Sequence, residues 1–443
     1  MDARQPSRGW SLLVGAAYTA AAVVGWPVYA YLLATRAKYR ANLGERWGLA
    51  PRFEPGRTRL WVHAISVGEV EAARTFIPAL AEAFPQAEIV LSTTTLTGRQ
   101  RAERLFPGTP IFHFPLDLGP CVRAALNRVR PTAVIQVESE WWPNFFLKAA
   151  RRGIPIVCVN VRITEKGARG YGRIAGLMRA VFNTARAVGV QADIYRDRFL
   201  ALGVDAGRLH VTGQMKHDGV TFADTVPGAD DLAREMDIAS DAPVLVAGST
   251  GPGEEEPLLA AYREARKMSP ALRLVIVPRR PETFPTAAEA VRRAGLPLVR
   301  RSAPGQVEGG DGFQPPIILG DTMGEMMKWY ARADIVFVGR SLVPIGGSNP
   351  MEPGALGKPL LWGPEMFNFP VEAPALVAAG AARQVTGAAD LGAAIIDLLT
   401  HPTRCSQMGR AAQDAIRQMQ GATRRNVDLV RQALADETGK DQP

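Results

Sequence analysis

Short apolar runs alternate with amphipathic stretches along most of this chain, and that rhythm constrains its fold more than any other feature. The runs are Leu60–Ile65, Glu88–Thr93, Thr132–Val137, Ile154–Asn160 and Val188–Gln191, with helical patterns such as Glu71–Phe84 and Cys121–Arg130 between them. A strand buried on both faces reads as continuous apolar sequence, so the alternation predicts parallel α/β structure. A polar passage, Asp218–Asp231, interrupts it before it resumes at Val244–Ala247, Leu272–Val277, Ile317–Leu319, Ile335–Val338 and Pro359–Trp362. At 443 residues the chain exceeds one compact domain. The expected fold is two doubly wound, Rossmann-like α/β domains facing a central cleft, spanning 41–222 and 223–443, the second ending in charged helices from Pro402 to Asp436.

The first 40 residues read as a separate anchor. Trp10–Ala34 carries no charged residue, and as a helix it would be about 37 Å long against a bilayer core of roughly 30 Å. Arg36, Lys38 and Arg40 follow it, outnumbering Arg4 and Arg8 on the other flank, which puts the bulk of the chain in the cytoplasm. A cleaved signal peptide is the rival, but the run is long for one; Pro27 leaves both a spanning and an in-plane anchor open. The formal net charge of +9 suits anionic partners, including an anionic membrane surface. Nucleic acid is not expected, because no aromatic-interleaved basic stripe or zinc-finger spacing occurs. Three scattered cysteines fit a reducing compartment.

In open parallel sheets ligands bind beyond the carboxyl ends of the strands, so the loops there hold the candidate chemistry. Glu69 follows the first run at the start of a helix, where it serves either the helix N-terminus or a general base. Glu138 and Glu140 follow another run beside Trp141 and Trp142; core packing accounts for the tryptophans, less readily for two acids. In the second half, Gly248–Glu255 offers hydroxyls, Pro278–Glu282 offers guanidiniums, and Leu319–Glu325 supplies a glycine turn. Gly346–Gly347 joins a buried strand to Ser348, Asn349, Pro350 and Glu352, which read as helix-start chemistry suited to a phosphate. No dinucleotide fingerprint follows the first strand and no Walker-type lysine motif occurs, which disfavours redox and ATPase chemistry. The histidines, His63, His113, His210, His217 and His401, lack paired metal spacing, so neither a metal nor another cofactor is expected.

Taken with these loops, Leu43–Gly48, Val62–Glu69, Thr94–Gly98, Pro115–Asp117, Glu138–Asn144, Asn160–Arg162, Gly213–Lys216 with Asp218, and Asp321–Glu325 give a chain that resembles the 3-deoxy-D-manno-octulosonic acid (Kdo) transferases. These are bacterial glycosyltransferases of the two-Rossmann GT-B architecture. The resemblance implies an N-terminal acceptor domain, a C-terminal donor domain, and transfer of Kdo from CMP-Kdo to a lipid A precursor at the cytoplasmic face of the inner membrane. It implies Glu69 as catalytic base, with Glu138 also implicated. It puts donor contacts on Ser249, Arg279, Met323, Gly324, Glu325, Gly346, Gly347, Ser348 and Asn349, with Glu352 near the ribose and Lys216 as a further donor-site residue. The chain departs from the family pattern at three donor-half histidine positions, which hold Gly251, Arg280 and Ser348. That departure keeps two alternatives in view: a transferase using another nucleotide-activated sugar, and a catalytically silent, membrane-associated lipid-binding scaffold.

Overall fold

In a computed structural model of the protein, residues 35, 42–223, 225–310 and 314–438 are described. The anchor expected over 1–40 lies almost wholly outside them. No helix among the described residues is long and apolar enough to cross a membrane.

The chain forms two compact units. The first holds a sheet of seven parallel strands: β1 (Arg59–His63), β2 (Glu88–Thr93), β3 (Ile111–His113), β4 (Ala133–Val137), β5 (Ile156–Val161), β6 (Ala187–Val190) and β7 (Leu209–Val211), in the order β3-β2-β1-β4-β5-β6-β7. β1, β4, β5 and β6 are buried along their whole length, as strands covered on both faces must be. The chain leaves β1 toward β2 and β3, then returns to lay β4 on the other side of β1. The loops after β1 and β4 therefore diverge above adjacent strands, opening the crevice of a doubly wound sheet.

The second unit repeats the plan with eight strands: β8 (Val244–Thr250), β9 (Arg273–Pro278), β10 (Leu298–Arg300), β11 (Ala303–Glu308), β12 (Ile317–Leu319), β13 (Ile335–Val338), β14 (Leu360–Trp362) and β15 (Ala382–Gln384). Their order is β11-β10-β12-β9-β8-β13-β14-β15, parallel throughout except where the exposed edge strand β11 pairs antiparallel with β10. Here the reversal falls between β8 and β13. Separate apolar clusters cover the two faces of this sheet, one built around Trp329, Tyr330 and Trp362, the other around Tyr262, Phe337 and Leu361.

The units do not divide the chain at one point. Val220–Met419 forms the second, whereas the chain from Gln420 onward belongs with the first, correcting the expectation that everything after residue 223 lies in one domain. The reason is local. The C-terminal helical stretch is broken at Gln420–Gly421 into Pro402–Met419 and Ala422–Thr438. The first of these buries Ala412 and Ile416 in the second unit's core, while the helix after the break buries Val427, Leu429 and Val430 against the first unit's β-sheet. Asp218 accepts hydrogen bonds from the backbone N–H groups of Gly421 (2.6 Å) and Thr423, so a carboxylate some two hundred residues away caps the new helix. Asn426 Oδ1 then accepts from Asn160 N, and Asn160 Oδ1 accepts from Met215 N at 2.9 Å, tying helix, β5 and the loop after β7 together.

The capping role sets a stability expectation. Asp218→Ala should cost about 1–2 kcal/mol, the usual value of a lost N-terminal cap, with Asp218→Asn intermediate. Urea unfolding followed at the first unit's tryptophans measures it; a change below about 0.3 kcal/mol in Asp218→Ala would remove the cap from this account.

Candidate active site

Glu69 and Glu138 come from the two loops that diverge at the first sheet's reversal. β1 ends at His63 and runs through Ala64 and Ile65 to Ser66, the N-cap of the helix Val67–Ala72. Glu69 occupies the third helical position and completes a capping box: its Oε2 accepts from the backbone N–H groups of Ile65 and Ser66. The helix-terminal and proton-accepting readings of this residue use different atoms. Among the described residues Oε1 accepts no hydrogen bond, leaving one oxygen for a ligand proton.

The surroundings of Glu69 make that oxygen basic. Burial raises its pKa first, the negative charges of Glu138 and Glu140 add to the effect, and the two N–H groups oppose it, for a value of about 7. A carboxyl group poised there exchanges protons readily near neutral pH. Glu138 lies at the end of β4 with a left-handed backbone, φ 62°. That conformation is strained for a residue with a Cβ, costing roughly 1–3 kcal/mol, and it turns the side chain out of the strand's alternation. The Glu138 carboxylate is buried and lies 3.8 Å from Arg162 Nε and 3.9 Å from Lys216 Nζ. Burial also pushes the Glu140 carboxyl up. Trp141 is core, edge-on to Phe182 with ring centres 4.7 Å apart. His63 and His113 are buried as well, and burial holds His63 neutral with a pKa of about 3.

At the second unit's reversal the loops after β8, β9 and β13 converge. Ser249, near the end of β8, is buried and left-handed at φ 54°, and its carbonyl accepts from Ser348 Oγ at 3.1 Å. Ser348 thus joins the loops after β8 and β13 and is not a helix cap. Asn349 takes that duty, its Oδ1 accepting from Met351 N at 3.1 Å, for a helix of only five residues, Met351–Ala355. Gly346 and Gly347 have φ of 100° and 79°, and a Cβ on either would strike Asn368 or Met366, so both positions require glycine. Gly347 N donates to Arg340 O, while the amides of Gly346, Ser348 and Asn349 have no partner among the described residues. These donors, more than a five-residue helix dipole, suit the turn to an anion.

Arg279 and Arg280 are exposed directly after β9, and Arg279 N donates to Thr250 O at 3.1 Å. Tyr330 is buried close to Ser249, Arg279 and Glu352; burial pushes its phenol far up, Glu352 adds to this, and Ser249 hydrogen-bonds it. Gly248 has no room for a side chain because the Tyr330 hydroxyl fills that space.

Other sequence-derived site residues fall elsewhere or are engaged. Lys216 belongs to the first unit, beside Glu138. Glu325 is held by Arg301 at 3.0 Å, Lys328 at 3.3 Å and Thr322 Oγ1 at 2.5 Å, so its carboxylate fastens the loop after β12. Gly324 makes the adjoining turn with φ 87°, and Met323 is exposed. Two residues escaped the sequence reading. Glu254 is fully buried and accepts from the backbone N–H groups of Gly251, Arg340, Ser341 and Leu342 at 2.5–2.9 Å. Arg340 is left-handed at φ 62° in the loop so held. Among the described residues no three His, Cys, Asp or Glu side chains are grouped to hold a metal.

Comparison with known proteins bears on the family and the fold. The sequence profile of the family described as 3-deoxy-D-manno-octulosonic-acid transferase (kdotransferase) matches residues 41–219. A 3-deoxy-D-manno-octulosonic acid transferase of Haemophilus influenzae is 34% identical over 409 residues, covering 90% of this chain and 92% of the relative. One from Bordetella pertussis is 33% identical over 401 residues, covering 88% and 90%. Among solved structures, a glycosyltransferase from Rickettsia africae superposes with a TM-score of 0.58 at 12% identity, over 86% of this chain and 99% of that one. At that identity the likeness speaks for the two-Rossmann fold alone.

Glu69 should titrate near pH 7, and Glu138→Gln should lower its midpoint by removing a neighbouring negative charge. Carbon-13 NMR of labelled glutamate reads both; an ordinary midpoint, or one indifferent to Glu138→Gln, would contradict the coupling. Because the folded-state pKa is raised, the fold prefers protonated Glu69. The associated stabilisation is complete below the ordinary glutamate range and is lost as pH rises through about 7, so Glu69→Gln should flatten stability across that window.

Proposed function

This chain belongs to the 3-deoxy-D-manno-octulosonic acid transferase family, and from that premise we propose that it is an inverting glycosyltransferase moving Kdo from CMP-Kdo to a lipid A precursor in lipopolysaccharide biosynthesis. The observation that carries the reading is Glu69: a carboxyl group with a pKa of about 7, one oxygen fixed by backbone donors and the other unengaged, at the reversal of a doubly wound sheet. The first unit then binds the acceptor and the second the donor. The work is done on the cytoplasmic face of the inner membrane, to which the N-terminal segment anchors the chain.

Glu69 Oε1 takes the proton of an acceptor hydroxyl as that oxygen attacks the anomeric carbon of Kdo. The bond from this carbon to the CMP phosphate breaks, and the carbon passes through an oxocarbenium-like state. Negative charge grows on the departing phosphate. Arg279, which is exposed, and the unpartnered amides of Gly346, Ser348 and Asn349 meet it. Glu138 keeps Glu69 basic through its charge, and Lys216 and Arg162 lie beside the Glu138 carboxylate. Glu352, beside the buried pair Ser249 and Tyr330, suits the sugar hydroxyls of the nucleotide. A monophosphate leaving group facing guanidinium charge has no diphosphate to be neutralised, so turnover is expected to persist in EDTA.

Glu69→Gln should leave CMP binding intact and lower turnover by roughly 10²–10⁴-fold. In the unaltered protein kcat/KM should rise with pH through about 7 and then level, since only the ionised carboxylate accepts the proton. Mass spectrometry of a lipid A precursor incubated with CMP-Kdo supplies the rates; near-normal turnover in Glu69→Gln would remove Glu69 from the role of base.

A further inference from the structure

Arg340 occupies an unusual place in the second unit. Its backbone is left-handed, and both of its backbone polar groups are engaged: N–H donates to Glu254 Oε2 at 2.5 Å, and the carbonyl accepts from Gly347 N at 2.7 Å. A residue with a Cβ is held at positive φ only when its surroundings over-determine it. Here the surroundings are a buried carboxylate saturated by four N–H groups and a glycine turn. Such an arrangement fixes the direction of the side chain.

That direction is set by Gly251. A Cβ placed on Gly251 would lie 3.1 Å from Arg340 Cγ and 3.0 Å from Ile345 Cδ1, so the stem of Arg340 runs across the end of β8 in the space another residue's side chain would take. On the far side of β8 lies β9, which ends at Arg279 and Arg280. Burial, and then the like charges of Arg279 and Arg280, pull the pKa of Arg340 down. None of the three arginines is ion-paired to a carboxylate among the described residues, and Glu254, whose charge also acts on Arg340, is consumed by backbone donors. Three guanidinium groups that repel one another, beside unpartnered amides, make a site short of one anion.

We propose that Arg340 is a phosphate-binding residue whose stem, laid across Gly251, carries a guanidinium that joins Arg279 and Arg280 in holding the nucleotide phosphate of the donor. This rests on the reading of the second unit as the donor-binding unit. Glu254 and Gly251 are positioning residues, the first fixing the backbone of Arg340 and the second clearing a path for its stem. Arg280 supplies fixed charge in the same cluster.

Calorimetric titration of the full chain with CMP, and separately with cytidine as a probe lacking the phosphate, tests this. Arg340→Gly relieves the positive φ, so loss of binding does not follow from backbone strain. It should weaken CMP roughly ten- to hundredfold, the range for a lost charged hydrogen bond, and leave cytidine unchanged. Gly251→Ala should weaken CMP by displacing the stem, and should cost much less when Arg340 is already glycine. Unchanged CMP affinity in Arg340→Gly, or an equal loss of CMP and cytidine, overturns the inference while the donor reading stands. Equal costs for Gly251→Ala in both backgrounds overturn the role given to the stem. Failure of the unaltered chain to prefer CMP over cytidine overturns the donor reading, and the inference with it.

Discussion

Strand ends and helix starts leave backbone N–H groups without a ladder or helical partner, and in this protein acidic side chains take several of them up. Glu254 satisfies four such donors, Asp117 accepts from Asn144 N and Phe145 N, Asp218 starts the C-terminal helix, and Glu45 accepts from His113 N. A buried N–H left unpaired costs about 1–3 kcal/mol, so these few carboxylates hold the strand-end loops in place against a substantial penalty. Loop geometry, and with it the site chemistry, depends on them. Glu69 is the instructive member: one oxygen performs the same structural duty, and the other accepts no hydrogen bond among the described residues.

The two units share a topology and differ in charge. At the first reversal three glutamates gather, and their burial and mutual repulsion produce a base. At the second, arginines gather around glycines and open amides. In each cluster burial and like charges shift the pKa of a member, Glu69 upward in the first and Arg340 downward in the second.

Much of this was legible in the residues. The central strands announced themselves as apolar runs because both of their faces are covered, and the reversal loops could be named once the parallel order was inferred. Short edge strands such as β3, β7 and β15 were not, because they are partly exposed and carry no continuous apolar run. The acids in the recurring motifs could not be sorted by sequence either. Asp218, Glu325 and Glu69 sit in similar company along the chain, yet Asp218 caps a helix, Glu325 pairs with Arg301 and Lys328, and only Glu69 keeps an oxygen unengaged. Lys216 was read toward the donor and lies beside Glu138, since its neighbours in space are set by β7 and not by the segment that follows it. Glu254 and Arg340 gave one signal in advance, an acid and an arginine inside glycine-rich strand-end loops, which alone distinguishes neither from solvated surface.

The sequence by itself determined the class of fold, the number of units, the family and the loops that carry chemistry, because periodicity, strand-end composition and motif order are local properties. Tertiary structure decided which unit receives the last helix, which acid retains a basic oxygen, and that the stem of Arg340 fills the space above Gly251. Those outcomes depend on burial and on the approach of groups far apart in the chain. Burial sets the energy of a charge, and contact sets whether its lone pairs are already taken; neither quantity is a property of a residue in isolation.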